Sequence, residues 1–449
     1  MSDLVVETSS GQVHGCLDRD VPNWRGVPYG RIEARFRPAV AVAPVERVDA
    51  SVWGPVGWQV PMYAGMPPRF VHPDAVENEQ CLNLNIWSPG VDGKPRPVLV
   101  WLHFGGHVYG SGSTPSMDAW VYAAHHDAVI VTANYRLGPW GWLYLGELDP
   151  EYADGANLPV QDQILLLEWI RQNIAQFGGD PGNVTLFGSS SGGSDVGTLL
   201  GVPAAQGLFH KAAIYSGTAE TPVSRAEAVR RAERFMAGAG KLAGSVRELS
   251  EVANVGLRYI HGKQLEKDGR VPYHPFVDGR VLPREPLAAV ADGLIREVPL
   301  LMSVTAAEAQ FYEIISPDTI DRMYAARSGP DPDADRDTKI EFLSDVMFWQ
   351  PTERLLSAAR AAGGRGWWQV FDYVPSNSPN GHRPEFRGRP MHGADVPTLF
   401  VDPDDAELTD IDRAVGAEEQ RALMGLARDG RAHWREWSPE NAAPYRVGP

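Results

Sequence analysis

Residues 184–193 read Val-Thr-Leu-Phe-Gly-Ser-Ser-Ser-Gly-Gly, and this stretch decides the fold. A β-rich apolar run, Val184–Phe187, leads into the pattern Gly188-Ser189-Ser190-Ser191-Gly192, and a stretch able to form a helix follows from about Gly193 to Leu200. A strand that turns sharply into a helix holds the apex residue in a strained, exposed backbone conformation. Glycines on either side allow the turn, because they accept unusual φ/ψ and close packing. Ser190 stands at the apex and is the candidate nucleophile. The plainer reading is an ordinary turn serine in a glycine-rich loop; the strand before it and the helix after it favour the nucleophile.

Outward from this point, apolar runs and helical patterns alternate. Pro97–Leu102 and Ala128–Ala133 are near-continuous apolar runs, as expected of strands covered on both faces. Asp162–Phe177 places its apolar residues at helical spacing and stops at Gly178-Gly179. Ala212–Tyr215, Val298–Val304 and Trp367–Tyr373 read as later strands, and Leu4–Gly15 as an early hairpin. The alternation predicts an α/β fold with a central, mostly parallel twisted sheet flanked by helices. The whole chain, 1–449, reads as one domain, with helical cap-like insertions at about 225–261 and 315–362 over the active site. The acidic, proline-bearing runs Asp331–Asp337 and Asp402–Asp412 read as solvated loops, with no support for a calcium site.

Composition narrows the partners. With 43% hydrophobic and 22% charged residues, the chain has the make-up of a globular enzyme with a large core. A net charge of −16 disfavours nucleic acid and anionic membrane surfaces. Cys16 and Cys81 are the only cysteines, too few for a disulfide framework or a zinc site. The start, MSDLVVETSSGQVHG, lacks the basic and apolar regions of a signal peptide, and no segment reaches transmembrane length. The expectation is a soluble cytoplasmic protein without cofactor or metal, monomeric or homodimeric, acting on a small-molecule substrate. The excess of Arg over Lys hints at a bacterial source.

A serine hydroxyl needs a base to take its proton, and the base needs a carboxylate to fix its tautomer. The strand–elbow–helix pattern resembles that of α/β-hydrolases, where serine, acid and histidine follow in that order on loops after strands. Glu308 follows the run Val298–Val304, and His392 follows Trp367–Tyr373, which completes the order. Asp395 and Asp372 are rival acids; Asp395 reads as a loop or cap residue. The developing oxyanion needs amide donors. Ser191, the residue after the nucleophile, offers one, and Gly105 and Gly106 in the turn after Pro97–Leu102 offer others. His107 in that turn reads as a structural or rim-lining residue.

At these residues the chain resembles the type-B carboxylesterase family, which includes cholinesterases and p-nitrobenzyl esterases. GQVHG with WRGVPYG, NEQCLNLNIWSP, NYRLGPWGWL, EWIRQNIAQFGGDPGNVTLFGSSSGG, FHKAAIYSG and FVDGRVLP carry the resemblance in family order. It implies an α/β-hydrolase fold and ester hydrolysis through an acyl-enzyme. Residue by residue, it implies Ser190 as nucleophile, Glu308 as acid and His392 as base, with Gly105, Gly106 and Ser191 as oxyanion donors and Ser216 as a supporting serine. The sequence departs from the family beside the nucleophile and in the oxyanion turn. Ser189 replaces a glutamate, Ser191 an alanine, Phe104 the first glycine of the oxyanion turn and His107 an aromatic residue. Phe104 and His107 are therefore pocket candidates. Gly57 stands where secreted members carry the partner of Cys81, and no tryptophan stands near Val71, where cholinesterases bind a cation. The leading expectation is a serine carboxylesterase for small to medium uncharged esters. The alternatives are a pathway-specific enzyme reusing the triad for acyl transfer, amide hydrolysis or a lyase step, and a non-catalytic interaction protein.

Overall fold

The computed structural model describes residues 4–60, 76–115, 117, 119–268, 273–315, 318–376 and 388–449. Val71 lies outside them. A ten-stranded sheet runs through the centre. Its strands in chain order are β1 (Cys16–Asp18), β2 (Val21–Pro28), β3 (Asn83–Trp87), β4 (Arg96–Leu102), β5 (Val129–Ala133), β6 (Gly179–Ser189), β7 (Lys211–Tyr215), β8 (Leu300–Thr305), β9 (Gly366–Phe371) and β10 (Tyr445–Val447). In space they lie in the order β10-β9-β8-β7-β6-β4-β5-β3-β2-β1. From β5 across to β10 the pairs are parallel. The β1–β3 edge is antiparallel. The Leu4–Gly15 hairpin forms as Val5–Thr8 against Gly11–His14.

Strand β4 explains why its run is apolar throughout. Val98, Val100 and Leu102 point into one core cluster and Leu99 and Trp101 into the other, so both faces are buried. The first face is covered by helix α1 (Leu158–Asn173) and helix α2 (Ser191–Leu199), through Leu166, Leu167, Ile170, Val196 and Leu199. The opposite face takes Val121 and Tyr122 from the helix Trp120–His126, and Leu423 and Leu426 from helix α3 (Asp410–Asp429).

Helix α3 corrects one expectation. The run Asp402–Asp412 ends inside a helix, and Asp412 is buried, not solvated. Thr409 and Asp412 form a reciprocal capping box. The Asp412 carboxylate also accepts from Tyr373 Oη at 2.8 Å and the Ser376 amide at 2.9 Å. Burial alone would raise its pKa, but the hydrogen bonds from Ser376, Thr409 and Tyr373 outweigh burial and hold it well below the carboxylate range.

Between β7 and β8 lie the helices Arg225–Ala239, Val246–Glu251 and Asn254–Asp268 as a first group; between β8 and β9 lie Thr319–Ala326, Arg336–Ser344 and Gln350–Ala361, with a π-turn at Asp345–Trp349, as a second. The second packs at the carboxyl end of β8, where Trp349 Nε1 donates to the Thr305 carbonyl at 3.3 Å and the Ala309 amide to Ser344 Oγ at 3.0 Å. Among the described residues no helix is long and apolar enough to cross a membrane.

The crossing of β6 and α2 over β4 is tightly packed beside the site. A Cβ on Gly192 would sit 2.1 Å from the Leu102 carbonyl oxygen, and one on Gly188 would sit 2.6 Å from the Gly192 backbone. We expect Gly192→Ala to cost about 3 kcal/mol of folding stability, because backbone rather than a movable side chain must give way. Urea unfolding measures it. An unchanged midpoint would mean that strand and helix have room to part.

Candidate active site

Strand β6 ends at Ser189 and α2 begins at Ser191. Between them Ser190 has φ 57° and ψ −123°, the strained apex expected of the turn. The Ser190 amide donates to the Tyr215 carbonyl at 2.9 Å, tying the apex to β7. Its side chain is half-buried, so Oγ stays reachable.

Glu308 and His392 reach the apex from loops after β8 and β9. An isolated parallel bridge joins Ala307 to Met391, one residue before each. That bridge sets the two side chains in register although they lie 84 residues apart in the chain. His392 Nδ1 lies 2.6 Å from Glu308 Oε2, and His392 Nε2 lies 2.7 Å from Ser190 Oγ. Glu308 is fully buried, and its Oε1 accepts from the Thr305 amide at 2.8 Å. Phe311 and Phe348 hold the imidazole between ring centroids at 5.5 and 5.2 Å. With Nδ1–H donating to the carboxylate, Nε2 is left as the acceptor for the serine proton.

The rival acids lie elsewhere. Asp372 is at the surface beside Arg446, 2.7 Å from its Nη1. Asp395 begins the short helix Val396–Leu399 but makes no cap hydrogen bond, and it is fully buried. Neither of its carboxylate oxygens has a partner among the described residues. Burial first, and the charge of Glu308 second, push it up to about 7. Glu419 lies behind it, raised well above the carboxylate range by burial and then by Asp395. Among the described residues, Glu308 is the acid aimed at the imidazole.

The oxyanion candidates lie on either side of the apex. Ser191 is the first residue of α2, so its amide has no intrahelical acceptor. Gly105 and Gly106 follow β4 with φ 126° and 60°, conformations that glycine adopts freely. Ser189 and Ser216 are buried, and their hydroxyls have no partner among the described residues. Phe104 is half-buried, edge-on to Tyr109 at 6.5 Å.

His107 is not a rim residue. It is 3% exposed, and its ring meets Asp195 on α2. The sequence reading missed Asp195. Its signal was present: a lone acid four residues after Ser191 in a helix otherwise made of small and apolar residues. A Cβ on Gly57 would lie 3.5 Å from Cys81 Sγ, so glycine there leaves a buried free thiol that burial pushes up to about 12. Among the described residues the one group with metal-ligand spacing is His125, Asp402 and Asp404, at the surface.

The chain matches the carboxylesterase family over residues 2–327, a span that includes Ser190 and Glu308. It is 30% identical to the para-nitrobenzyl esterase of Bacillus subtilis, covering 96% of this chain and 91% of that one. It is 32% identical to the phenmedipham hydrolase of Pseudarthrobacter oxydans, covering 68% of this chain and 62% of that one. A solved thermophilic p-nitrobenzyl esterase superposes with a TM-score of 0.87 at 29% identity, covering 99% of this chain and 96% of that one.

Proposed function

The chain belongs to the carboxylesterase family, and we propose from that premise how its residues divide the work of hydrolysing carboxylic esters. Ser190 Oγ attacks the ester carbonyl carbon while His392 Nε2 takes its proton. Glu308 keeps Nδ1–H in place and balances the imidazolium that forms. The amides of Gly105, Gly106 and Ser191 receive the negative charge on the former carbonyl oxygen. As the tetrahedral intermediate collapses, the C–O bond to the alcohol breaks and His392 returns its proton to the leaving oxygen. Water, deprotonated by the same imidazole, then releases the acid and restores Ser190. No cofactor enters this scheme.

The observation that carries the reading is the unbroken contact from Ser190 Oγ through His392 to Glu308, at 2.7 and 2.6 Å. A fluorophosphonate probe tests it. One adduct per chain on the peptide bearing Ser190 is expected; labelling elsewhere, or none, would contradict it.

For substrates we propose small to medium uncharged esters. One relative is named for p-nitrobenzyl esters, and Phe104, Phe311 and Phe348 set aromatic surface beside the site. A screen of acyl length and alcohol size should show broad activity that falls with bulk. Turnover of one ester alone would favour a pathway-specific enzyme. The reading includes a single domain with helical caps and a reducing, cytoplasmic setting, for which the two free cysteines speak.

A further inference from the structure

One buried ion pair joins the two sides of the oxyanion site without entering the chemistry above. His107, next to Gly106, points Nε2 at Asp195 Oδ1 from 3.0 Å and Nδ1 at the Tyr273 carbonyl oxygen from 3.0 Å. The Ser191 carbonyl also faces the ring. Asp195 is one turn along α2 from Ser191 and fully buried, and its second oxygen accepts from Gln163 Nε2 of α1 at 2.8 Å. Trp142 closes the ring's flank at 4.6 Å. Carboxylate and carbonyl groups accept, so these contacts assign a proton to each ring nitrogen and pair a protonated His107 with the Asp195 carboxylate.

We infer that the His107–Asp195 ion pair is a positioning clamp that fixes the Gly105–Gly106 turn against the amide end of α2. The inference rests on the assignment of Gly105, Gly106 and Ser191 as oxyanion donors. Neither residue of the pair touches the reacting atoms. Each acts through its neighbours in the chain, Gly106 on one side and the first turn of α2 on the other.

The clamp is sensitive to alkali. Burial opposes charge on His107, but Asp195, by its charge and its hydrogen bond, outweighs burial and raises the pKa above the ordinary imidazole value. Among the described residues the other titratable groups that face the pair are His103, which burial lowers to about 4 and keeps neutral, Tyr135, which burial and then Asp195 hold well above the ordinary phenol range, and His274, whose ring lies 6.0 Å away. A group raised on folding contributes fully below its unfolded pKa of about 6.5 and loses that contribution as pH rises through the folded value. Deprotonation would leave one ring nitrogen facing an acceptor with no proton between them, and the turn would be released.

The test is kcat and KM for p-nitrophenyl butyrate against pH, from about pH 6 to 10, in wild type, Asp195→Asn and the double variant His107→Phe/Asp195→Ser. Wild type should lose kcat in the alkaline range with one proton released. Asp195→Asn should lower kcat by about tenfold to a hundredfold, less than a fully removed donor, with KM within about threefold. Its alkaline loss should begin at lower pH, a shift that a merely structural role would not produce. The double variant, which leaves no buried charge, should be flat across that range. An alkaline limb that is absent from wild type, unmoved in Asp195→Asn or retained in the double variant would overturn the clamp. Should either variant fail to fold, the wild-type profile with the remaining variant decides. Fluorophosphonate labelling of wild-type Ser190 separates the two failures. Loss of labelling defeats the catalytic assignment, whereas intact labelling with an unmoved limb defeats the clamp alone.

Discussion

Replacing Ser190 by alanine is expected to lower kcat/KM for p-nitrophenyl butyrate by about four to six orders of magnitude. The hydroxyl stands at the apex of the β6–α2 turn, 2.7 Å from His392 Nε2. Its loss removes covalent catalysis altogether. What remains is binding and oxyanion stabilisation, which alone give about 10³–10⁴-fold over water. Stability should change little, because alanine keeps the Cβ and with it the strain at φ 57°, and the substitution removes a single hydrogen bond of a half-buried hydroxyl. Steady-state rates with active-site titration measure the effect. Residual activity within about a hundredfold of wild type would remove Ser190 from the mechanism.

The second large effect is expected from Glu308→Gln, at about 10³–10⁴-fold in kcat. An amide in place of Oε2, 2.6 Å from His392 Nδ1, can present its NH₂ there and stabilise the wrong tautomer. Even as an acceptor it carries no charge to balance the imidazolium. The neighbouring carboxyl cannot take over. Asp395 is buried and pushed up to about 7, and its oxygens make no bond to the imidazole. Asp395→Asn should therefore stay within about tenfold of wild type in kcat, as expected of a group outside the relay. Equal losses in the two variants would show that the acids share the role.

Much of the fold was legible because covered parallel strands advertise themselves. Pro97–Leu102 is apolar at every position since β4 faces a core on each side. The elbow was legible because the close approach of Gly192 to Leu102 leaves no alternative to glycine. Glu308 and His392 were chosen as candidates from chain order and from strands that were themselves clear, and the fold brings both to Ser190. The antiparallel edge from β1 to β3 was less visible, since its short strands carry polar residues such as Asn23 and Asn85. Helix α3 was lost behind its own start. Asp410 and Asp412 look like a solvated run, yet acids in a first turn are stabilised by the helix dipole, and Asp412 completes a capping box. The pairing of His107 with Asp195 spans 88 residues, and no local pattern marks such a contact. The chain shows a lone histidine and a lone acid, and only the folding of the β4 turn onto α2 brings them together.

The central claim is that hydroxyl, imidazole and carboxylate act as one unit, and combining substitutions tests it most directly. The measurement is kcat/KM for p-nitrophenyl butyrate in Ser190→Ala, His392→Ala and Glu308→Gln, singly and together. The triple variant should be no slower than Ser190→Ala, within about tenfold, because once the nucleophile is gone the base and acid have no proton to move. If the three losses instead multiply, each residue contributes by itself, and the relay read from the 2.7 and 2.6 Å contacts does not operate.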